Sequence, residues 1–109
     1  MSAIRITGAL GRDAQARYTP EGEAWLFLEI HQALGPIAIE ARRRIGSGPS
    51  AQIAASRTAA YLRKGSRVTV HADAYTIDWA NGQPHLLLTN VTGIEHQPVR
   101  SHYETDQAA

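Results

Sequence analysis

Apolar and polar residues alternate with a period of two in several stretches of this chain, which predicts strands. In "AIRIT" (3–7), Ile4 and Ile6 point one way, Arg5 and Thr7 the other. In "AWLFLEI" (24–30), Leu26, Leu28 and Ile30 form one face and Trp25, Phe27 and Glu29 the other, so two aromatics stand away from the core side. "PIAIEARRRI" (36–45) starts with Ile37, Ile39 and Ala41 inward. Its end fits poorly, because a one-residue slip aims an arginine at the core; a bulge or a strand end is expected there. "GSGP" (46–49) breaks the chain. In "SAQIAASRTAAYLRK" (50–64) the period changes: Ala51, Ala54, Ala55, Thr58, Ala59 and Leu62 make a small-residue stripe at helical spacing. Ser50 is placed to cap this helix, Arg63 and Lys64 to fill its last turn, and Gly65 to end it. "RVTVHADAYTIDW" (67–79) alternates again, with Val68, Val70, Ala72 and Ala74 on one face and His71, Asp73, Tyr75 and Ile77 on the other. Asn81-Gly82 is a hairpin turn signal, and "PHLLLTNVTGI" (84–94) is the returning strand.

Three strands, a helix and two strands make an all-β chain of five strands. A helix between the third and fourth of them is the order of the OB-fold, a small Greek-key barrel; a small α+β sheet with one helix across it is the rival. The length of 109 residues suits one domain, placed at 1–95. Residues 96–109 are polar, hold Pro98 and lack any pattern, and are expected to be a disordered tail.

Composition narrows the function. The absence of cysteine excludes disulfides, thiolate metal sites and a cysteine nucleophile. The start of the sequence lacks the features of a signal peptide, and no apolar run approaches the roughly 18 residues that span a membrane. The five histidines show no metal-ligand spacing, and neither "GALGRD" nor "GSGPS" is a phosphate-binding Gly-Lys-Ser/Thr loop. His71 and Asp73 share a strand face and read as a surface ion pair rather than an acid–base couple. No enzyme, cofactor or metal is therefore expected. The net charge of +1 hides an asymmetry: ten Lys+Arg against seven acids give +3 over residues 1–94, and the remainder is −2. A mildly basic body permits a polyanionic partner without demanding one.

The connector "GALGRDAQARYTPEG" (8–22) adds a motif. Gly8, Leu10, Gly11, Asp13, Arg17, Tyr18, Pro20 and Gly22 stand in the register of Gly-x-Leu-Gly-x-Asp followed by Arg-Tyr-x-Pro-x-Gly. This resembles the opening of bacterial single-stranded DNA-binding proteins. "YLRKGSRVTV" (61–70) is similar to that family's segment between helix and fourth strand, and Trp79 falls where the family keeps a base-stacking tryptophan. The resemblance, from about Ile4 to Ile94, implies an OB-fold. It also implies sequence-independent binding of single-stranded DNA, with RNA as an alternative, in replication, repair or recombination. A homodimer or homotetramer in the bacterial cytoplasm, at the nucleoid, is implied as well. Asp13 and Tyr18 are read as loop residues held by local hydrogen bonds.

Departures from the family are equally specific. Residues 35–60 contain no Phe, Trp or Tyr, so the stacking aromatics that the family carries there are missing. Asp78 stands where a basic residue is common, and the sequence ends "YETDQAA" without the acidic, aromatic-ended tip that recruits partners. The primosomal replication proteins that share the fold lack that tip too. The expected nucleic-acid residues are Trp79 first, then Trp25 and Phe27, then Arg5, Arg12, Arg17, Arg42, Arg43, Arg44, Lys64 and Tyr75. Each has a plainer alternative. Trp79 would cover the barrel end, Trp25 and Phe27 would form a subunit interface, and Lys64 would serve the helix end. Arg42, Arg43 and Arg44, with only Glu40 nearby in sequence, would be a solvated edge. The competing function is an OB-fold module that contacts another protein and has lost most of its affinity for nucleic acid.

Overall fold

The alternating runs become strands where the pattern places them, and one short strand joins them unannounced. The structure, a computed structural model, describes residues 4–32, 38–80 and 82–97. Its elements are β1 (Ile4–Leu10), β2 (Gln15–Tyr18), β3 (Glu23–His31), β4 (Ala38–Ser47), α1 (Pro49–Tyr61), β5 (Arg67–Ala80) and β6 (Gln83–Gln97). The fold is mostly β with one helix, in six strands rather than the expected five. The additional strand is β2, inside the connector: Gln15 lies opposite Phe27 and Tyr18 opposite Ala24. Four residues are too few to display a period, so the open edge of β3 makes this segment a strand rather than its own pattern.

The sheet order is β1-β5-β6-β4-β3-β2, with a further pairing of β1 to β3. All pairings are antiparallel except β4 with β6. The pairings thus run β1–β5–β6–β4–β3 and return to β1, with β2 outside this ring on the second edge of β3. Inside it, Leu26, Leu28 and Ile30 meet Ile39 and Ala41, Val68 and Val70, and Leu88. Each large aliphatic side chain so buried contributes about 1.5–3 kcal/mol.

Two irregularities shift the phase of the alternation. Trp25 pairs with Arg44 but Ala24 with Gly46, so Ile45 is an extra residue in β4. This is the bulge expected in "ARRRI". In β5–β6, His71 pairs with Gly93 but Ala72 with Val91, which leaves Thr92 as the extra residue, two positions after Asn90 at φ 44. Core contacts along β6 therefore fall at Leu86, Leu88, Val91 and Ile94 instead of every second residue.

The helix differs in detail from its expected form. It begins at Pro49 after Gly48, and the Ser50 side chain does not cap it. Gly48 donates to the Gly22 carbonyl at 3.0 Å, which ties the helix start to the connector. Arg63 and Lys64 lie beyond the last turn. Ala55 and Leu62 are buried, but Ala54 and Thr58 of the expected stripe are exposed. The helix presses only the line 51–55–59–62 toward the sheet, and this line is narrower than the run of small residues. Tyr18 anchors it, with its hydroxyl 2.6 Å from Ser56 Oγ.

β1 pairs with β5 as far as Ala72, and beyond it, among the described residues, β5 pairs with β6 alone. Ala74 is accordingly exposed instead of inward, because it lies on this projecting arm. The arm closes with Ala80 opposite Gln83, as the Asn81-Gly82 signal predicts. β6 continues through Gln97, so His96 and Gln97 are strand rather than tail. The rest of the expected tail, and Ile37, lie outside the described residues.

Candidate nucleic-acid interface

The outward face of β2, β3 and β4 collects most of the expected residues. Trp25 and Phe27 point outward because their neighbours Leu26 and Leu28 are buried, and strand neighbours face opposite ways. Register then places Arg17 and Arg44 on either side of Trp25, and Gln15 and Arg42 on either side of Phe27. The Arg17 guanidinium lies over the Phe27 ring with Cζ 4.3 Å from the centroid, and Arg42 lies 5.2 Å from it. A depression of about 260 Å³ opens between Trp25, Phe27, Arg17, Arg42 and Glu23.

The arginines here are not bare charges. Arg12 Nε is 2.7 Å from Glu29, Arg44 Nε is 2.6 Å from Glu23, and Arg42 Nε is 3.5 Å from Glu40. Glu23 comes across from β3 to Arg44, so the run 42–44 has more acidic company than its sequence neighbourhood shows. Arg17 makes no ion pair among the described residues and donates to Gln15 Oε1 at 2.8 Å. Four arginines against three glutamates leave this face at +1, with His31 and His85 beside Glu29 and Glu40. These exposed pairs contribute little to stability, and a phosphate can take the place of a carboxylate at small cost.

Glu29 accepts from both His31, at 2.8 Å, and Arg12. The His31 hydrogen bond and then the Arg12 charge hold its carboxyl below the usual 4.5, against partial burial that pushes the other way. A carboxyl held lower in the folded chain stabilises the fold above its ordinary value, and that contribution is lost as pH falls through the depressed one. Urea unfolding at stepped pH is therefore expected to show wild type losing more stability than Glu29→Gln between pH 5 and pH 3, about the ordinary carboxyl range. A constant gap between the two proteins would contradict this linkage.

The remaining expected residues lie elsewhere. Arg43 alternates away from Arg42 and Arg44 and stands opposite Leu26 on the core side, half-buried in a groove with Tyr61 and Ile94. It is removed from the outward face because consecutive strand residues alternate. Tyr75 and Trp79 lie on the arm, opposite Leu88 and Pro84. They thus stand on the β5–β6 ladder, apart from the β2–β3–β4 ladder that carries Trp25 and Phe27. Trp79 is 72% exposed, so it is not packed as the cover that its plainer alternative required. Ile77, which the sequence reading passed over as a site residue, completes an exposed Tyr75–Ile77–Trp79 row on alternate positions. Arg5 is on a third surface, the outer side of β1 and β5, with Arg67 and the bonded Thr7–Thr69 pair. Lys64 has an exposed side chain, and its backbone N–H donates to Asp13 Oδ1 at 2.7 Å. The local hydrogen bonds expected of Asp13 and Tyr18 are not what holds them: Tyr18 lies in β2, and the partners, Lys64 and Ser56, are 51 and 38 residues away in sequence. His71 bonds Glu95 across the strands at 2.7 Å, not Asp73 along its own strand. That bond holds the exposed Glu95 carboxyl below its ordinary value.

Among the described residues no group of three or more His, Asp or Glu side chains is placed to hold a metal ion, and no helix is long and apolar enough to cross a membrane. The chain matches no protein-family model and no curated protein at a significant level.

Proposed function

We propose that this chain is a single-stranded DNA-binding protein, an OB-fold barrel that holds the strand by base stacking and phosphate contact without reading a sequence code. The observation that carries the proposal is the outward face of β2, β3 and β4. There Trp25 and Phe27 are framed by Arg12, Arg17, Arg42 and Arg44. The closed run of strand pairings and the position of α1 before β5 support the barrel, and the connector motif supports kinship with the bacterial single-stranded DNA-binding family. The strand lies across this face, one base stacks on Trp25, and the arginines exchange carboxylates for phosphates. The same two terms serve single-stranded RNA. Catalysis forms no part of the proposal. A homo-oligomer is part of it, because one barrel spans only about 4–16 nucleotides.

Each phosphate neutralised on a single strand contributes about 0.7 to the salt slope. Titration of the protein with oligo-dT, followed by tryptophan fluorescence, is expected to show quenching at about 50 mM salt. Four arginine contacts predict binding up to about 50-fold weaker at about 200 mM salt. Folded protein that fails to bind at the lower salt overturns the proposal. The exposed row Tyr75–Ile77–Trp79 favours the second reading, a module that docks another protein, and that outcome would leave it standing.

A further inference from the structure

We infer that the depression beside Trp25 is a subsite for one guanine base, set within an otherwise sequence-tolerant track; the inference rests on the nucleic-acid reading above. Trp25 stands at a crossing. Glu23 precedes it and Phe27 follows it on the same face of β3, with Arg17 across on β2 and Arg44 across on β4. The depression of about 260 Å³ has room for a single purine against the indole.

Hydrogen-bonding capacity remains on both sides of that position. Arg17 spends the flat face of its guanidinium on Phe27 and one N–H on Gln15, out of five donors. Arg17 and Arg42 both line the depression. Glu23 accepts from Arg44 through Oε2, and its Oε1 accepts nothing among the described residues. Arg44 thus orients an acceptor without exhausting it.

Guanine matches this arrangement. It presents O6 and N7 as adjacent acceptors to a guanidinium, and N1–H with N2–H₂ as adjacent donors to a carboxylate. Adenine and cytosine offer their exocyclic amine next to a ring acceptor, which a carboxylate repels. Thymine and uracil offer one N–H between two carbonyls, with the same result.

The test uses a Trp79→Phe protein, in which Trp25 is the sole tryptophan. It is titrated with GMP, AMP, CMP and UMP, and then with oligo-dT carrying or lacking one central dG. GMP is expected to quench Trp25 with about tenfold tighter binding than the other three, and the dG oligonucleotide to bind tighter by a similar factor. Adding Glu23→Gln is expected to abolish the preference and leave oligo-dT binding in place. Equal or absent binding of the four nucleotides, or a preference that survives Glu23→Gln, overturns the subsite. Oligo-dT binding without preference overturns the subsite alone. Selective GMP binding without oligo-dT binding supports the subsite and overturns the strand-binding reading.

Discussion

Gly8→Ala is expected to lower the melting temperature by roughly 10–20 °C, through an overpacking cost of about 2–3 kcal/mol. Gly8 lies where β1 passes from β5 to β3, and a Cβ there would stand 2.6 Å from the His31 carbonyl oxygen and 2.7 Å from Ile30 Cγ2. The first of these is backbone, so relief requires β1 and β3 to part, and that contact closes the run of pairings. Gly11→Ala is the internal control. Its Cβ would meet the His31 imidazole, the end of an exposed side chain that can swing away from Glu29. Its melting temperature is expected to stay within about 5 °C of wild type, the shift of at most about 1 kcal/mol. Thermal unfolding followed by circular dichroism separates the two. A Gly8→Ala protein as stable as wild type would mean that β1 and β3 do not meet in this register.

On the outward face, Trp25→Ala is expected to weaken oligo-dT binding by about 10- to 100-fold, the loss of one base-stacking surface. The salt slope should stay unchanged, because no phosphate contact is lost. The double variant Arg17→Ala, Arg42→Ala is expected to behave in the opposite way. Its slope should fall by about 1.4, or about 0.7 for each phosphate contact, and its affinity loss should fade as salt rises. Measuring affinity at four or five salt concentrations for each protein distinguishes them. If Trp79→Ala weakens binding and Trp25→Ala does not, the strand lies along the projecting arm instead. The two tryptophans stand on separate ladders, Trp25 between β2 and β4 and Trp79 opposite Pro84 on the arm, so the two outcomes are distinct.

Much of this arrangement was legible in advance. The outward orientation of Trp25 and Phe27 follows from the period of "AWLFLEI" alone, since buried Leu26, Leu28 and Ile30 leave them nowhere else to point. The helix between two strand groups, the hairpin at Asn81-Gly82 and the bulge in "ARRRI" were equally readable, because each is a local matter of period, turn chemistry or conflict between them. The sequence reading failed where the outcome depends on which strand lies alongside. β2 was missed because a four-residue segment becomes a strand only when β3 offers it an edge. The arginine run looked nearly free of acids because Glu23 is distant in sequence and arrives through register. The same holds for His71, whose partner Glu95 is 24 residues away.

The sequence by itself thus determined the long strands and the helix, the inward and outward sets of β3, and the aromatic–basic chemistry available to a ligand. Those are properties of a few consecutive residues, fixed by backbone geometry with periods of about two and 3.6. Tertiary structure alone decided which of those chemical groups share a surface. It placed Arg17, Arg42 and Arg44 around Trp25 and Phe27, and set Tyr75 and Trp79 on a projecting arm of β5 and β6. The physical reason is that a one-residue shift in strand register reverses the face of every side chain beyond it. Register between strands is set by packing across the whole core, not by any segment read alone.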